Sequence, residues 1–210
     1  MFDYFINFFL IILITLFINT LLNKVKRLNN FSGQLHQTFT KTKKIPLSGG
    51  LILIILIIFK FNLIEINLLY SLLSIFFIGF LADLRILRSP TIRFILQILF
   101  ILLSIIILDL SVSQIRISWF DELLLNRYFN IFFVLFCFLV LINGSNFIDG
   151  NNALAIGYYS LVIFTVLNLS TELSTNKGYE NFLILFFISL IVLLIFNIFN
   201  QLYLGDGGIY

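Results

Sequence analysis

The stretch VLFCFLVLINGSNFIDGNNALAIGYYSLVIF, Val134–Phe164, decides the fold class. Two apolar runs flank a short segment that carries Asn143, Asn146, Asp149 and Asn152. The runs are continuous rather than alternating, which argues for buried or lipid-facing helices over half-buried strands. A helix that spans a membrane needs about 20 mostly apolar residues, fewer when polar ends snorkel. Polar residues between two such runs belong at a membrane surface.

The whole chain has the same character. It is 60% hydrophobic and only 11% charged, with a mean hydropathy of +1.10. Average usage is roughly 45–50% apolar and about 25% charged. A soluble domain of 210 residues cannot hide this much apolar surface, so lipid is the solvent for most of it. Seven spans are expected: Tyr4–Leu22, Leu47–Phe61, Leu63–Leu81, Phe94–Leu110, Phe129–Ile142, Ala153–Leu169 and Phe182–Phe199. The break between the second and third rests on Lys60, Asn62, Glu65 and Asn67. The runs exceed the ~10 residues of a barrel strand. The expected fold is therefore all-α, a polytopic transmembrane helical bundle of about seven helices, forming one membrane domain over residues 1–210.

Charge orients it. The first apolar run has no basic segment before it and no small-residue cleavage site after it, so it is not a signal peptide. Lys24, Lys26 and Arg27 follow it, which puts the N-terminus outside. The inner segments are then 23–46, 82–93, 143–152 and 200–210, and they hold nine of the 13 Lys and Arg. Trp119, in the long outer loop, reads as an interface anchor. A net charge of +3 is too small to point to nucleic acid, and the single Cys137 excludes an intramolecular disulfide framework.

Seven of the ten acids fall outside; the inner three are Asp83, Asp149 and Asp206, each at the inner end of a span. Three carboxylates at one depth, facing a basic loop, suit a divalent cation and phosphates. Mg²⁺ takes oxygen ligands, keeps waters and is commonly held by one or two carboxylates plus substrate phosphate. The bland alternative is that Asp-Gly and its like merely punctuate loops.

Four ordered motifs surround these acids. KTKKIPLSGG, Lys41–Gly50, is a basic stretch followed by Pro-x-x-Gly-Gly. GFLADLRILRSPTIRFILQ, Gly79–Gln97, carries Asp83, then Ser89, Pro90 and Arg93. Asn143, Asn146 and Asp149 are spaced by three, which places them on about one face if the helix continues. YLGDGGIY, Tyr203–Tyr210, holds Asp206 among glycines. Locally, Ser-Pro suits a helix start, Asn residues can cap helices, and Arg93 also fits a positive-inside anchor.

Together, over roughly residues 40–210, these motifs resemble the polyprenyl-phosphate N-acetylhexosamine-1-phosphate transferases of glycosyltransferase family 4, the O-antigen and teichoic-acid initiating type. The chain departs from that family's pattern in places. Ala82 stands where the first Asp of an Asp pair is usual, Ala153 replaces a Gly, and Ile209 replaces a Ser. The resemblance also implies further helices and a long loop with His and Arg residues beyond Tyr210, so the chain reads as lacking that C-terminal part. His36, the only histidine, reads as a surface residue.

What the resemblance implies is a transferase acting at the cytoplasmic face of the bacterial inner membrane. It moves hexosamine-1-phosphate from a UDP-sugar to polyprenyl phosphate. Mg²⁺ is the implied cofactor, with Mn²⁺ as its alternative. Asp206 is the expected metal ligand, and Asp83 a second ligand or the base that keeps the lipid phosphate ionised. Asp149, the third catalytic candidate, joins Asn143, Asn146 and Asn152 toward the nucleotide or sugar. Lys44, Gly49, Gly50 and Arg93 complete the substrate-binding set, with Lys41, Lys43 and Arg88 as further phosphate partners. The expected partners are the two substrates, the lipid bilayer and a second copy of the chain in a homodimer. Two rivals remain at this point: a non-catalytic relative, favoured by Ala82, and a transporter. No acid or base lies in the middle of an expected span, which argues against a proton-coupled transporter.

Overall fold

The computed structural model describes residues 2–25, 28, 45–60, 63–149, 153–170 and 177–210. Lys26, Arg27, His36, Lys41, Lys43, Lys44 and Asn152 lie outside the described residues. The described residues form an all-helical bundle: α1 Phe2–Val25, α2 Gly49–Phe59, α3 Ile66–Asp83, α4 Pro90–Ile107, α5 Ser118–Leu124, α6 Arg127–Ile148, α7 Leu154–Ser170, α8 Lys177–Ile198 and α9 Asp206–Ile209. Of these, α1, α3, α4, α6 and α8 are long and apolar enough to cross a membrane, and α2 and α7 are shorter apolar helices. The chain is a polytopic membrane protein.

Each expected span corresponds to one helix, with three differences. Helix α2 has 11 residues, about 16 Å at 1.5 Å per residue, and it stops at Phe59. Helix α6 does not end at Ile142 but continues to Ile148. Its polar residues bond to their own helix and so do not break it. Asn143 Nδ2 donates to the Leu139 carbonyl at 2.8 Å, and Ser145 Oγ to that of Leu141. The outer loop that holds Trp119 is partly ordered into the short helix α5. There Asn130 accepts from the Val112 amide and donates to the carbonyls of Val112 and Leu124, fastening the loop to α6.

Lipid, not water, sets the rules of packing. The large exposed side chains form stripes such as Ile92, Ile95, Leu99, Leu103 and Ile106 on α4, while Gln97, Ile101, Ser104 and Ile105 of the same helix are buried. Lipid tails are as apolar as leucine, so small residues that let backbones approach do much of the work of association. They collect around α9. A Cβ on Gly50 would strike the backbone of Gly207 and Gly208, and one on Gly79 would strike the Asp206 carbonyl. The segment before α2 also pairs with the segment before α9. The Tyr203 amide donates to the Pro46 carbonyl at 3.0 Å, and the amides of Gly49 and Gly50 donate to Tyr203 and Leu204. The core around Ile52, Leu193, Leu202 and Leu204 therefore seats α9 between α2 and α3 at one end of the bundle.

Candidate functional site

Three helix ends and one loop build a polar site at that end. Helix α3 finishes on Asp83. A tight turn follows, with Arg85 at φ 61°, and α4 begins at Pro90. Ser89 caps α4 by accepting from the Ile92 amide. Arg93 thus stands on the first turn of α4, just past the cap. The loop from α8 brings Asp206, preceded by Gly205 at φ +73°. Glycine fits there for two reasons: the backbone is left-handed, and a Cβ would fall 2.6 Å from an Asp83 oxygen.

Asp83 grips the loop. Its Oδ1 accepts from the Asp206 amide at 2.8 Å, and its Oδ2 accepts from the Gly207 amide at 3.0 Å. Asp206 in turn meets Arg93, with Oδ2 2.7 Å from Nη1. The result is a chain of contacts from α3 through α9 to α4. Arg93 Nε is buried and has no hydrogen-bond partner among the described residues, which leaves a guanidinium donor for a ligand oxygen.

Asp149 approaches from the end of α6. Burial pushes its carboxyl up to about 7, and the negative charges of Asp206 and Asp83 push the same way. Burial also raises Asp206, while Arg93 pulls it back. Tyr210 is pushed up to about 12, mainly by burial and then by Asp206. Three carboxylates thus share a partly buried space in which Arg93 is the cation that acts on Asp83 and Asp206. A cation bound among these carboxyls would favour their charged forms and draw their pKa values back down. Among the described residues, however, no three His, Cys, Asp or Glu stand together as a metal cage. The donor set suits a hard cation held by one or two carboxylates and completed by substrate oxygens and water.

The other candidate residues are distributed around this centre. Asn143 is half-buried below it and reaches buried Gln97 of α4 at 3.5 Å, while Asn146 is exposed on the same face of α6. Gly49 and Gly50 are buried against Leu204 and the backbone of α9. Arg88 is exposed in the turn before α4. Lys44 and Asn152 lie outside the described residues. Two neighbours of the site went unremarked in the sequence reading, Gln97 and Tyr210. A lone glutamine in an apolar helix was the available signal for the first. The second follows Ile209 in a motif read only for its Asp and Gly residues.

A family model described as glycosyl transferase family 4 matches residues 65–210. The chain belongs to glycosyl transferase family 4. The match covers the second, third and fourth motifs and begins after the first, Lys41–Gly50. No curated protein matches the chain. Membership in family 4 makes the chain a membrane sugar-phosphate transferase in general terms. The contacts among Asp83, Arg93 and Asp206 all fall within the matched region.

Proposed function

We propose that the protein transfers a hexosamine-1-phosphate, from UDP-N-acetylhexosamine, to polyprenyl phosphate at the cytoplasmic face of a bacterial inner membrane. The products are polyprenyl-diphosphate-hexosamine and UMP, the first lipid intermediate of a cell-envelope glycan. The observation that carries this reading is the linked set Asp83, Asp206 and Arg93 at one membrane end, with Asp149 beside it. The charge bias of the loops supports the cytoplasmic assignment.

In this reaction an oxygen of the lipid phosphate attacks the phosphorus that bears the sugar. The bond from that phosphorus to the bridging oxygen breaks, and UMP leaves with the electron pair. A phosphate monoester's second pKa is near 6, so the attacking group is largely ionised at neutral pH and strong base catalysis is unnecessary. Asp83 then serves chiefly to position the Asp206 loop. Arg93 is the cation available to phosphate oxygens, and its planar fork suits them. Asn146 and Asp149 face the nucleotide or sugar, and Asn143 supports that face through Gln97. Asp206 and Asp83 would hold Mg²⁺, which would neutralise charge on the diphosphate when bound.

Membranes carrying the protein, mixed with polyprenyl phosphate and labelled UDP-N-acetylglucosamine or its galacto epimer, are the test. Label in the butanol-extractable lipid, lost with EDTA and in Asp206→Asn, is the expected outcome. Transfer that survives both treatments removes Asp206 and the cation from the reaction. One observation favours a second reading, a non-catalytic relative: Ala82 stands beside Asp83 where the resemblance implies a second carboxylate. A large gain of activity in Ala82→Asp would support it.

A further inference from the structure

A second feature lies at the other end of α2, away from the carboxylates. An apolar groove of about 450 Å³ runs between α1, α2 and α8. Its walls include Leu10, Ile14, Leu56, Phe59, Phe182 and Phe186. That volume lies in the ~300–1,000 Å³ range of cavities that hold small ligands. A hydrogen bond from Tyr4 Oη to Asn181 Oδ1, 2.8 Å, ties α1 to α8 at the same end of the bundle.

Lys60 is the one charged residue among those lining the groove, and it is exposed. Gly50 is fixed beside α9 at the carboxylate end, and Lys60, the C-cap of α2, follows it by about 15 Å at the other end of the helix. Lysines at helix ends snorkel toward the headgroups. Neither ion pair among the described residues involves Lys60. An apolar channel with a cation at its mouth is complementary to a chain that ends in an anionic head.

We propose that this groove holds an acyl chain of an anionic phospholipid, with the lipid phosphate paired to Lys60. The prenyl acceptor is a poorer match. The groove shares only the far end of α2 with the carboxylate site, which is built on α3, α4, α6 and α9 and on the glycines that start α2.

The test uses the purified full chain, stripped of lipid in detergent. Phosphatidylglycerol and phosphatidylcholine with identical chains are added in equal amounts, and bound lipid is counted by native mass spectrometry. Phosphatidylglycerol should be retained at least about tenfold over phosphatidylcholine. Lys60→Gln should bring the ratio near one, and Leu10→Trp should exclude both lipids. If Leu10→Trp does not fold, the Lys60→Gln ratio still decides. Equal retention by the unaltered protein, or an unchanged preference in Lys60→Gln, would overturn the proposal. So would displacement of bound phosphatidylglycerol by long-chain polyprenyl phosphate, which would give the groove to the acceptor tail.

Discussion

Asp83→Asn separates two roles that one carboxylate can play. In the structure both carboxylate oxygens accept backbone amides, from Asp206 and from Gly207. A hydrogen bond to a charged group contributes about 1.5–3 kcal/mol, and a buried amide left without a partner costs about 1–3 kcal/mol. The asparagine carbonyl can satisfy one amide, but its NH₂ then faces the other as donor against donor. The site keeps some solvent access, so about 2 kcal/mol is the expected net loss. For a chain of this size each kcal/mol shifts Tm by about 2–4 °C, giving a fall of about 4–8 °C. The assay is thermal unfolding of the detergent-solubilised protein in EDTA, beside the transfer rate in Mg²⁺. A positioning carboxylate loses both stability without metal and activity. If Asp83→Asn abolishes transfer while Tm in EDTA stays within about 1 °C, the amide grip is energetically empty. Asp83 would then act only on the cation or the substrate.

Three further outcomes follow from the same geometry. Gly50→Ala drives a Cβ into the backbone of Gly207 and Gly208 and should cost about 1–3 kcal/mol, read as lowered Tm together with reduced transfer. Arg93→Lys keeps the charge but loses the fork that reaches Asp206 and a ligand oxygen, so kcat/KM should fall about ten- to hundredfold with the fold intact. Asp149 has its carboxyl raised to about 7 from an ordinary 3.8, so the folded protein holds a proton that the unfolded chain has released. Its contribution therefore makes stability fall as pH rises from about 4 to about 7 and level off above that. Asp149→Asn should flatten that slope in metal-free unfolding experiments.

Much of this architecture was legible because lipid imposes a simple pattern. Continuous apolar runs can only be helices, and α1, α3, α4, α6, α7 and α8 all stand where such runs do. The Ser89-Pro90 start of α4 was legible because cap and proline act locally. The length of α2 was not, because Leu47 and Ser48 look as helical as Leu51 until Leu47 pairs with Tyr203 far along the chain. The end of α6 was missed because polar residues suggested a loop, whereas Asn143 and Ser145 satisfy themselves on their own helix. The three inner acids were visible as three similar motifs. That Asp83 would hold the Asp206 loop by both oxygens was not visible, since partners 123 and 124 residues apart leave no local trace. Gly79 and Gly205 are small for the same distant reason, the passage of the α9 backbone and the Asp83 carboxylate.

The proposed reaction moves the sugar together with its phosphate. UDP-N-acetylhexosamine carrying ³²P in the β-phosphate and ³H in the sugar tests it directly. Both labels should enter the polyprenyl lipid in equal amount, with UMP as the nucleotide product. Entry of ³H alone, with the ³²P left behind in UDP, would contradict it.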